Sequence, residues 1–205
     1  MPRSKPRPAI AESGPVATAE RPPGNGDDPV KAGADDAAAG ERAAALLRSA
    51  GIEPVINVLD ASEPEPDEHT LGALAMSFDP KCDLIVAVGS GVINDCCKML
   101  SQVSGRQSVV VGTAPSMDGF VSDSSSMISR GVKCTIYDPS PIAVVADTDI
   151  MAAAPMRLLW AGLGDMLAKS ISVCEWRISN LITGEYYCEE VAAMMRRSLS
   201  QIVAQ

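Results

Sequence analysis

The run at 83–95, Asp-Leu-Ile-Val-Ala-Val-Gly-Ser-Gly-Val-Ile-Asn-Asp, constrains the fold of this chain more than any other segment. Its apolar part, 84–88, has no polar alternation, which is typical of a strand buried on both faces of a parallel sheet. The strand ends in Gly-Ser-Gly at 89–91, and a helical pattern follows at 92–103. A glycine turn between a buried strand and a helix lets backbone N–H groups approach an anion. The segment is therefore a candidate phosphate-binding turn.

This turn departs from the usual dinucleotide fingerprint. The pattern Gly-x-Gly-x-x-Gly would need a glycine at position 94, where the chain has Asn94. By itself, the turn is equally well interpreted as a plain tight connection between a strand and a helix. Other motifs have to decide between the two interpretations.

Strands and helices alternate along the first three quarters of the chain, and helices alone follow. The predicted strands lie at 54–59, 84–88, 108–111, 132–137 and 142–146, and the predicted helices at 36–50, 67–78, 92–103, 156–182 and 186–203. This order predicts an α/β fold with a Rossmann-like parallel sheet at 36–149 and the beginning of an all-helical domain at 150–205. Residues 1–35 are rich in Pro, Gly, Ala and charge, which predicts a disordered low-complexity segment.

Charge and composition exclude several classes of partner. The net charge of -9 argues against a nucleic-acid partner and against an anionic membrane surface. The apolar runs are too short to cross a bilayer. The six cysteines form no Cys-x-x-Cys pair, which favours free thiols in a reducing cytoplasm.

The stretch 112–126 is dense in Ser, Asp, Gly and Thr, which predicts a long loop, and its segment 113–123 directly follows the predicted strand at 108–111. In a parallel sheet it would leave the same carboxyl edge as the glycine turn, where such folds bind ligands. It offers the hydroxyls of Thr113, Ser116 and Ser122 and the carboxylate of Asp118. The alternative is an ordinary Ser- and Asp-rich surface loop, although long loops in compact domains are more often functional.

The segment Ala-Gly-Leu-Gly-Asp-Met-Leu-Ala-Lys at 161–169 places two glycines inside a helical pattern. Each glycine costs about 1 kcal/mol relative to alanine in a helix, so we expect a close backbone approach at Gly162 and Gly164. Asp165 and Lys169 are spaced for a surface ion pair. The segment at 181–189 predicts a turn between packed helices and nothing more specific.

Four motifs in this order resemble one family. GSGVIND at 89–95, TAPSMDGFVS at 113–122, AGLGDMLAK at 161–169 and LITGEYYCE at 181–189 are similar to the sn-glycerol-1-phosphate dehydrogenases, of the iron-containing alcohol dehydrogenase and dehydroquinate-synthase-like superfamily. The resemblance implies a Rossmann-like NAD(P) domain followed by an all-helical metal-binding domain. It also implies hydride transfer between NAD(P)H and dihydroxyacetone phosphate, a small phosphorylated substrate, to give sn-glycerol 1-phosphate.

The resemblance also implies roles for individual residues. Asp118 and Asp165 would be catalytic residues that contact the substrate, and Asp165 would also ligate a divalent metal, zinc or nickel. Asp60 is a weaker candidate for the ribose hydroxyl of the cofactor. The implied cofactor-binding residues are Gly89, Ser90, Gly91, Val92, Ile93, Asn94, Asp95, Thr113, Ser116 and Ser122.

Two features depart from the family pattern. The two histidines that complete the family's metal site have no counterpart, because the last histidine of this sequence is His69. The segment at 29–33, where an apolar first strand is expected, contains only Val30 as a sizeable apolar residue. We therefore expect an N-terminal portion of the enzyme that is inactive alone.

Two alternatives stay open at this point: a non-catalytic nucleotide-binding remnant, and a dehydrogenase of another polyol such as glycerol. The choice between NAD and NADP, and a homo-oligomeric state, also stay open.

Overall fold

The computed structural model describes residues 8–13, 32–59 and 64–204. Its strands are β1 Pro8–Ser13, β2 Val55–Leu59, β3 Leu84–Gly89, β4 Gln107–Gly112, β5 Ser124–Ser129, β6 Val132–Tyr137 and β7 Ala143–Ala146. Five of them form a parallel sheet in the order β2-β1-β3-β4-β7. The other two, β5 and β6, form a separate antiparallel pair.

Helices connect the strands and then continue alone. They are α1 Ala32–Ser49, α2 Glu68–Ser77, α3 Gly91–Ser104, α4 Thr148–Ala153, α5 Met156–Thr183 and α6 Glu189–Val203, with a 3-10 turn at Gly119–Val121. The predicted α/β class with a Rossmann-like parallel sheet is confirmed. None of the helices in the described ranges combines the length and the apolar character needed to cross a membrane.

Strand β3 is the centre of the core. Ile85 and Ala87 pack on one face of the sheet, in a cluster that includes residues of α2 and α3. Val86 and Val88 pack on the other face, against α1. Both faces of β3 are therefore covered, as the uninterrupted apolar run predicts. Each fully buried Val or Ile stabilises the fold by about 1.5–3 kcal/mol relative to an exposed one.

The adjacent cysteines of α3 belong to this core. Cys96 and Cys97 are both fully buried. Burial, with a smaller effect of nearby negative charge, raises the pKa of the Cys96 thiol to about 12. A thiol with this pKa stays protonated at neutral pH and packs as a small apolar side chain.

Strand β1 corrects the sequence analysis. It pairs in parallel with β2 on one side and with β3 on the other, so it lies inside the sheet. The predicted disorder of residues 1–35 is therefore wrong at 8–13, and α1 likewise begins at Ala32, before the predicted start at 36. The segment Pro-Ala-Ile-Ala-Glu-Ser has one large apolar residue, so its apolar pattern does not indicate a strand. Its place in the sheet is defined by backbone pairing with β2 and β3. The rest of the predicted disordered segment, 1–7 and 14–31, lies outside the described residues.

A second strand that the sequence analysis missed is β5. We expected a loop through residue 126, but Ser-Ser-Ser-Met-Ile-Ser at 124–129 pairs with β6 along its whole length. Ser and Asp at 122–126 are typical of a loop, so the sequence pattern does not indicate the strand. It is stabilised by backbone pairing and by burial of Met127 in the core cluster of α3.

The turn between α5 and α6 packs as predicted. The helix α5 ends at Thr183 and is capped by Gly184, which has a left-handed φ of 75°. The indole N–H of Trp176 donates to the carbonyl of Tyr186 at 2.7 Å, and the rings of Trp176 and Tyr187 lie 4.6 Å apart. These contacts fix the turn against α5. The division of the chain into two domains near residue 149 stays a prediction.

The position of β1 gives a testable expectation. Ala11→Pro removes a backbone donor from a strand with partners on both sides, so one carbonyl loses its bond. We expect a loss of about 1–3 kcal/mol in the free energy of unfolding. Ala11→Gly keeps the donor and should cost about 0.5–1 kcal/mol. Denaturant unfolding of both variants measures the difference. Equal effects of the two substitutions would mean that this segment is not an interior strand.

Candidate active site

The carboxyl ends of β3 and β4 lie side by side. Gly89 and Gly112 are partners in the parallel register. Beyond them, the amide of Thr113 donates to the carbonyl of Gly89 at 3.2 Å. The glycine turn after β3 and the loop after β4 therefore leave the same edge of the sheet, as the sequence analysis expected. Parallel α/β sheets bind ligands at this edge.

The glycine turn leads directly into α3. Ser90 occupies the N-cap position but makes no capping hydrogen bond with its side chain. A Cβ atom on Gly89 would lie 2.7 Å from a side-chain carbon of Ile93, so the tight turn requires glycine there. The first N–H groups of α3 have no partner within the helix, and they are oriented as anion donors.

Thr113 adds a hydroxyl to this edge. Its side chain is only 3% exposed, and its Oγ1 has no hydrogen-bond partner in the described part of the chain. A buried hydroxyl without a partner costs free energy, and a bound ligand oxygen would satisfy it. Thr113 is one of the cofactor contacts that the resemblance implies, and its Oγ1 is available to a ligand at this edge of the sheet.

The side chains of Asn94 and Asp95 are used inside the fold. The Asn94 amide donates to Oδ1 of Asp95 at 2.9 Å, and the backbone N–H of Ser126 donates to Oδ2 at 3.2 Å. Burial raises the pKa of Asp95, although these hydrogen bonds and Lys98 oppose the shift. Ile93 is buried in the core as well. The Asn94 N–H also donates to the carbonyl of Ser90 at 3.1 Å, so the predicted cofactor contacts of positions 93–95 stay predictions. Ser90, Gly91 and Val92 are half-buried at the turn itself.

Ser122 and Ser116 lie further along the loop. The Ser122 hydroxyl accepts a hydrogen bond from the ammonium of Lys98 at 3.0 Å and lies 2.9 Å from the carbonyl of Gly119. It is therefore engaged with α3 and with its own loop. Ser116 is half-buried. Their predicted cofactor contacts stay predictions.

Asp118, Asp165 and Lys169 join the loop to α5. The backbone N–H of Asp118 donates to Oδ2 of Asp165 at 2.9 Å. The Lys169 ammonium lies 3.2 Å from a carboxylate oxygen of Asp118 and 3.4 Å from one of Asp165. The expected surface pair of Asp165 and Lys169 is therefore part of a three-residue cluster. The structure brings together the two carboxylates that the resemblance assigns to the substrate.

The charges in this cluster stabilise one another. Partial burial opposes ionisation of Asp165, but the Asp118 N–H and the Lys169 ammonium outweigh it and lower the pKa of the carboxyl group. Partial burial likewise opposes the charge of Lys169, while Asp118 and Asp165 raise its pKa. Both groups are therefore charged at neutral pH.

A backbone contact holds the loop against α5. Gly162 is buried, and a Cβ atom there would overlap the carbonyl oxygen of Pro115. A Cβ atom on Gly164 would meet nothing within 4 Å. The predicted close approach is confirmed at Gly162 and is wrong at Gly164.

An apolar cavity of about 340 Å³ opens beside this contact. Its walls come from the loop, α5 and the end of α6: Pro115, Met117, Leu159, Gly162, Leu163, Met166 and Ile202. The cluster of charges and this apolar space therefore adjoin the same loop. Small-molecule sites combine apolar walls with a few polar groups, and none of the residues that line this cavity contributes a polar side chain.

The described residues do not form a metal site by themselves. No group of three His, Cys, Asp or Glu side chains within the described ranges is placed to hold a metal ion. Asp165, the predicted ligand, is bonded to Asp118 and Lys169 instead. A catalytic metal ion needs about three protein ligands, so the described residues alone do not make a complete metal site. Asp60, the candidate ribose contact, lies outside the described residues.

Sequence reasoning missed Lys98. Its ammonium is fully buried beside the same loop, and it lies 3.9 Å from a carboxylate oxygen of Asp138. The only signal in the sequence is the spacing of Asn94, Lys98 and Ser101, which places polar residues on the face of α3 that also buries its apolar residues. An apolar pattern alone predicts that such residues face solvent.

Comparison with known proteins defines the family. The family model for iron-containing alcohol dehydrogenases matches residues 30–155, and the chain belongs to this family. Glycerol-1-phosphate dehydrogenase (NAD(P)+) of Halalkalibacterium halodurans is 36% identical over 167 residues, covering 80% of this chain and 42% of the relative. The protein of the same name from Methanosarcina acetivorans is 31% identical over 166 residues, covering 80% and 46%. The chain thus spans less than half the length of these relatives.

Solved structures agree with the fold. Glycerol dehydrogenase from Schizosaccharomyces pombe matches with a TM-score of 0.61 at 19% identity, covering 85% of this chain and 40% of that one. A probable glycerol dehydrogenase from Sinorhizobium meliloti matches with a TM-score of 0.60 at 22% identity, covering 94% and 54%. At these identities, the likeness concerns the fold.

The two helical glycines form a matched pair for testing the loop contact. Gly162→Ala forces the loop and α5 apart, and overpacking of this kind costs about 1–3 kcal/mol of unfolding free energy. Gly164→Ala meets open space and should stabilise the chain by up to about 1 kcal/mol, because alanine favours the helix. Thermal or denaturant unfolding compares the two variants. If Gly162→Ala were as stable as Gly164→Ala, the loop would not lie against α5.

Proposed function

We propose that this chain forms the nucleotide-binding part and one side of the substrate site of a dehydrogenase. The proposed reaction is hydride transfer between NAD(P)H and dihydroxyacetone phosphate, giving sn-glycerol 1-phosphate. The proposal rests on one observation. The glycine turn, the unpartnered Thr113 hydroxyl and the loop that carries Asp118 all lie at the same edge of the sheet. The names of the curated relatives support the same reaction.

The cofactor diphosphate would lie at the N-terminus of α3. The N–H groups that follow Gly89 and the free hydroxyl of Thr113 offer donors to its oxygens, and the helix dipole favours its negative charge. These local donors matter because the chain as a whole carries a charge of -9 and would otherwise repel an anion. When bound, the nicotinamide supplies or accepts the hydride.

The substrate would lie near Asp118 and Asp165. Ionised carboxylates accept hydrogen bonds from substrate hydroxyls, and the ammonium of Lys169, held between the two, offsets their charge. Both carboxylates belong to elements fixed by the Gly162 contact, so their separation is set by the fold. The resemblance assigns Asp165 to zinc or nickel. Because the described residues do not complete a metal site, we derive no step through the metal.

Phosphate specificity, homo-oligomerisation and the cytoplasmic location belong to the proposal as expectations. The preference between NAD and NADP depends on residues after β2, including Asp60, that lie outside the described part of the chain. Titration with both cofactors answers this question directly.

Two buried hydroxyls on β4 and its loop provide a test of the cofactor site. Thr113→Val removes the unpartnered hydroxyl at the carboxyl edge, and we expect the Kd for NADPH or NADH to rise about tenfold, since one hydrogen bond to a charged group is lost. Ser108 is also buried with an unpartnered hydroxyl, but it lies near the start of β4. Ser108→Ala should leave the Kd unchanged. Fluorescence titration measures both, and equal effects would exclude Thr113 as a cofactor contact.

The substrate assignment needs the rest of the enzyme. We would place residues 36–205 of this chain into the Halalkalibacterium halodurans relative, in exchange for the segment that matches them. The chimera should oxidise NADPH with dihydroxyacetone phosphate far faster than with dihydroxyacetone. Asp118→Asn in this chimera should lower kcat/KM by about 100-fold, because a charge at the substrate is lost. Equal rates with the two ketones would contradict the phosphate assignment and favour a polyol substrate.

A further inference from the structure

Lys98 is a fully buried lysine in the middle of α3. Its ammonium donates to the carbonyl of Gly119 at 3.4 Å, to the hydroxyl of Ser122 at 3.0 Å, and to the carbonyl of Ser124. An ammonium group has three protons to donate. All three acceptors belong to one short segment, 119–124, which lies more than twenty residues further along the chain. The geometry is that of a tether from the helix to this segment.

A buried carboxylate balances the charge of this tether. Asp138 follows β6, and its Oδ1 lies 3.9 Å from the Lys98 ammonium, with both side chains completely buried. The Ser125 hydroxyl donates to the other oxygen of Asp138. A buried charge is tolerated only when it is paired and hydrogen-bonded. At 3.9 Å the contact with Lys98 is an ion pair, and Oδ1 of Asp138 has no hydrogen-bond partner within the described residues, so the Ser125 hydroxyl is the hydrogen-bond donor to this carboxylate. The start of β5 therefore supplies the anchored carbonyl of Ser124, and the residue after β6 supplies the counter-charge, whereas the anchored carbonyl of Gly119 belongs to the 3-10 turn.

The tether acts on the loop that carries Asp118. The loop begins where Thr113 donates to Gly89, and it ends at Gly119, Ser122 and Ser124, which Lys98 holds. Asp118 immediately precedes the first anchored residue. Its N–H is the group that donates to Asp165 on α5. Any release of Gly119 would therefore move the donor of this bond.

We propose that Lys98 is a positioning residue, which holds the end of the loop so that Asp118 meets Asp165. What Asp118 does to the substrate rests on the proposed function. The position of Asp118 is a property of this chain that can be measured without substrate or cofactor.

Hydrogen–deuterium exchange of the 205-residue chain tests the proposal. Lys98→Met keeps the length of the side chain and removes the donors. We expect peptides that cover 113–124 to exchange about tenfold faster, because the Asp118 N–H and its neighbours lose their fixed partners. Peptides of β3 and β4 should keep their protection. If Lys98 only stabilised the fold, exchange would rise throughout the chain. A rise confined to the loop therefore indicates that Lys98 positions it.

Val86→Ala is the matched control. Val86 is buried in the core cluster on the α1 side of β3, whereas α3 packs in the cluster on the other face. This substitution destabilises the whole fold and should leave 113–124 no more affected than β3 and β4. If Lys98→Met produced the same uniform pattern, or no change in the loop, the proposal would be overturned.

A milder variant decides the question if Lys98→Met does not fold. Ser122→Ala removes one acceptor of the Lys98 ammonium together with the bond from Ser122 to the Gly119 carbonyl. Exchange should then rise about threefold in 113–124 alone. Uniform or unchanged exchange in Ser122→Ala would overturn the proposal. Cofactor titration and ketone reduction are separate measurements, so their failure would concern the proposed function and leave this result standing.

Discussion

The contact between Gly162 and the carbonyl of Pro115 is the constraint on which the site depends. It lets the backbone of α5 come against the loop after β4, at a distance that no other residue at 162 permits. Because of this approach, the Asp118 N–H reaches the Asp165 carboxylate, and Lys169 reaches both acidic side chains. A helical glycine is unfavourable locally. Here that local cost is compensated by the contact that joins the parallel sheet to the helical part of the chain.

Charge placement follows from the same arrangement. The chain has an excess of acidic residues, yet its proposed ligands are anionic. Two kinds of local group offset the negative charge. They are the backbone donors at the start of α3 and the lysines that lie beside acidic side chains. Lys169 lies at the surface of the site between two carboxylates, and Lys98 lies in the interior next to Asp138. In the proposed site, Lys169 would offset negative charge near the substrate, and Lys98 holds the end of the loop that carries Asp118.

Patterns of apolar residues predicted most of this fold. The strands that they did not predict lie in segments with few large apolar residues. The run at 84–88 indicated a strand covered on both faces, and the structure agrees. The sequence did not indicate β1, whose residues are mostly small and whose partners β2 and β3 are distant in the chain. It did not indicate β5 either, because a Ser-rich segment is typical of a loop. The motifs indicated Asp118 and Asp165, but only the folded chain revealed that Lys98 anchors the loop, since a buried lysine has no sequence pattern of its own.

A crystal structure of the 205-residue chain with NADPH would locate the cofactor on the sheet edge. We expect the diphosphate at the N-terminus of α3, with its oxygens within hydrogen-bond distance of the backbone N–H groups after Gly89 and of Thr113 Oγ1. A cofactor bound elsewhere, or a diphosphate that leaves the Thr113 hydroxyl unpartnered, would contradict this expectation.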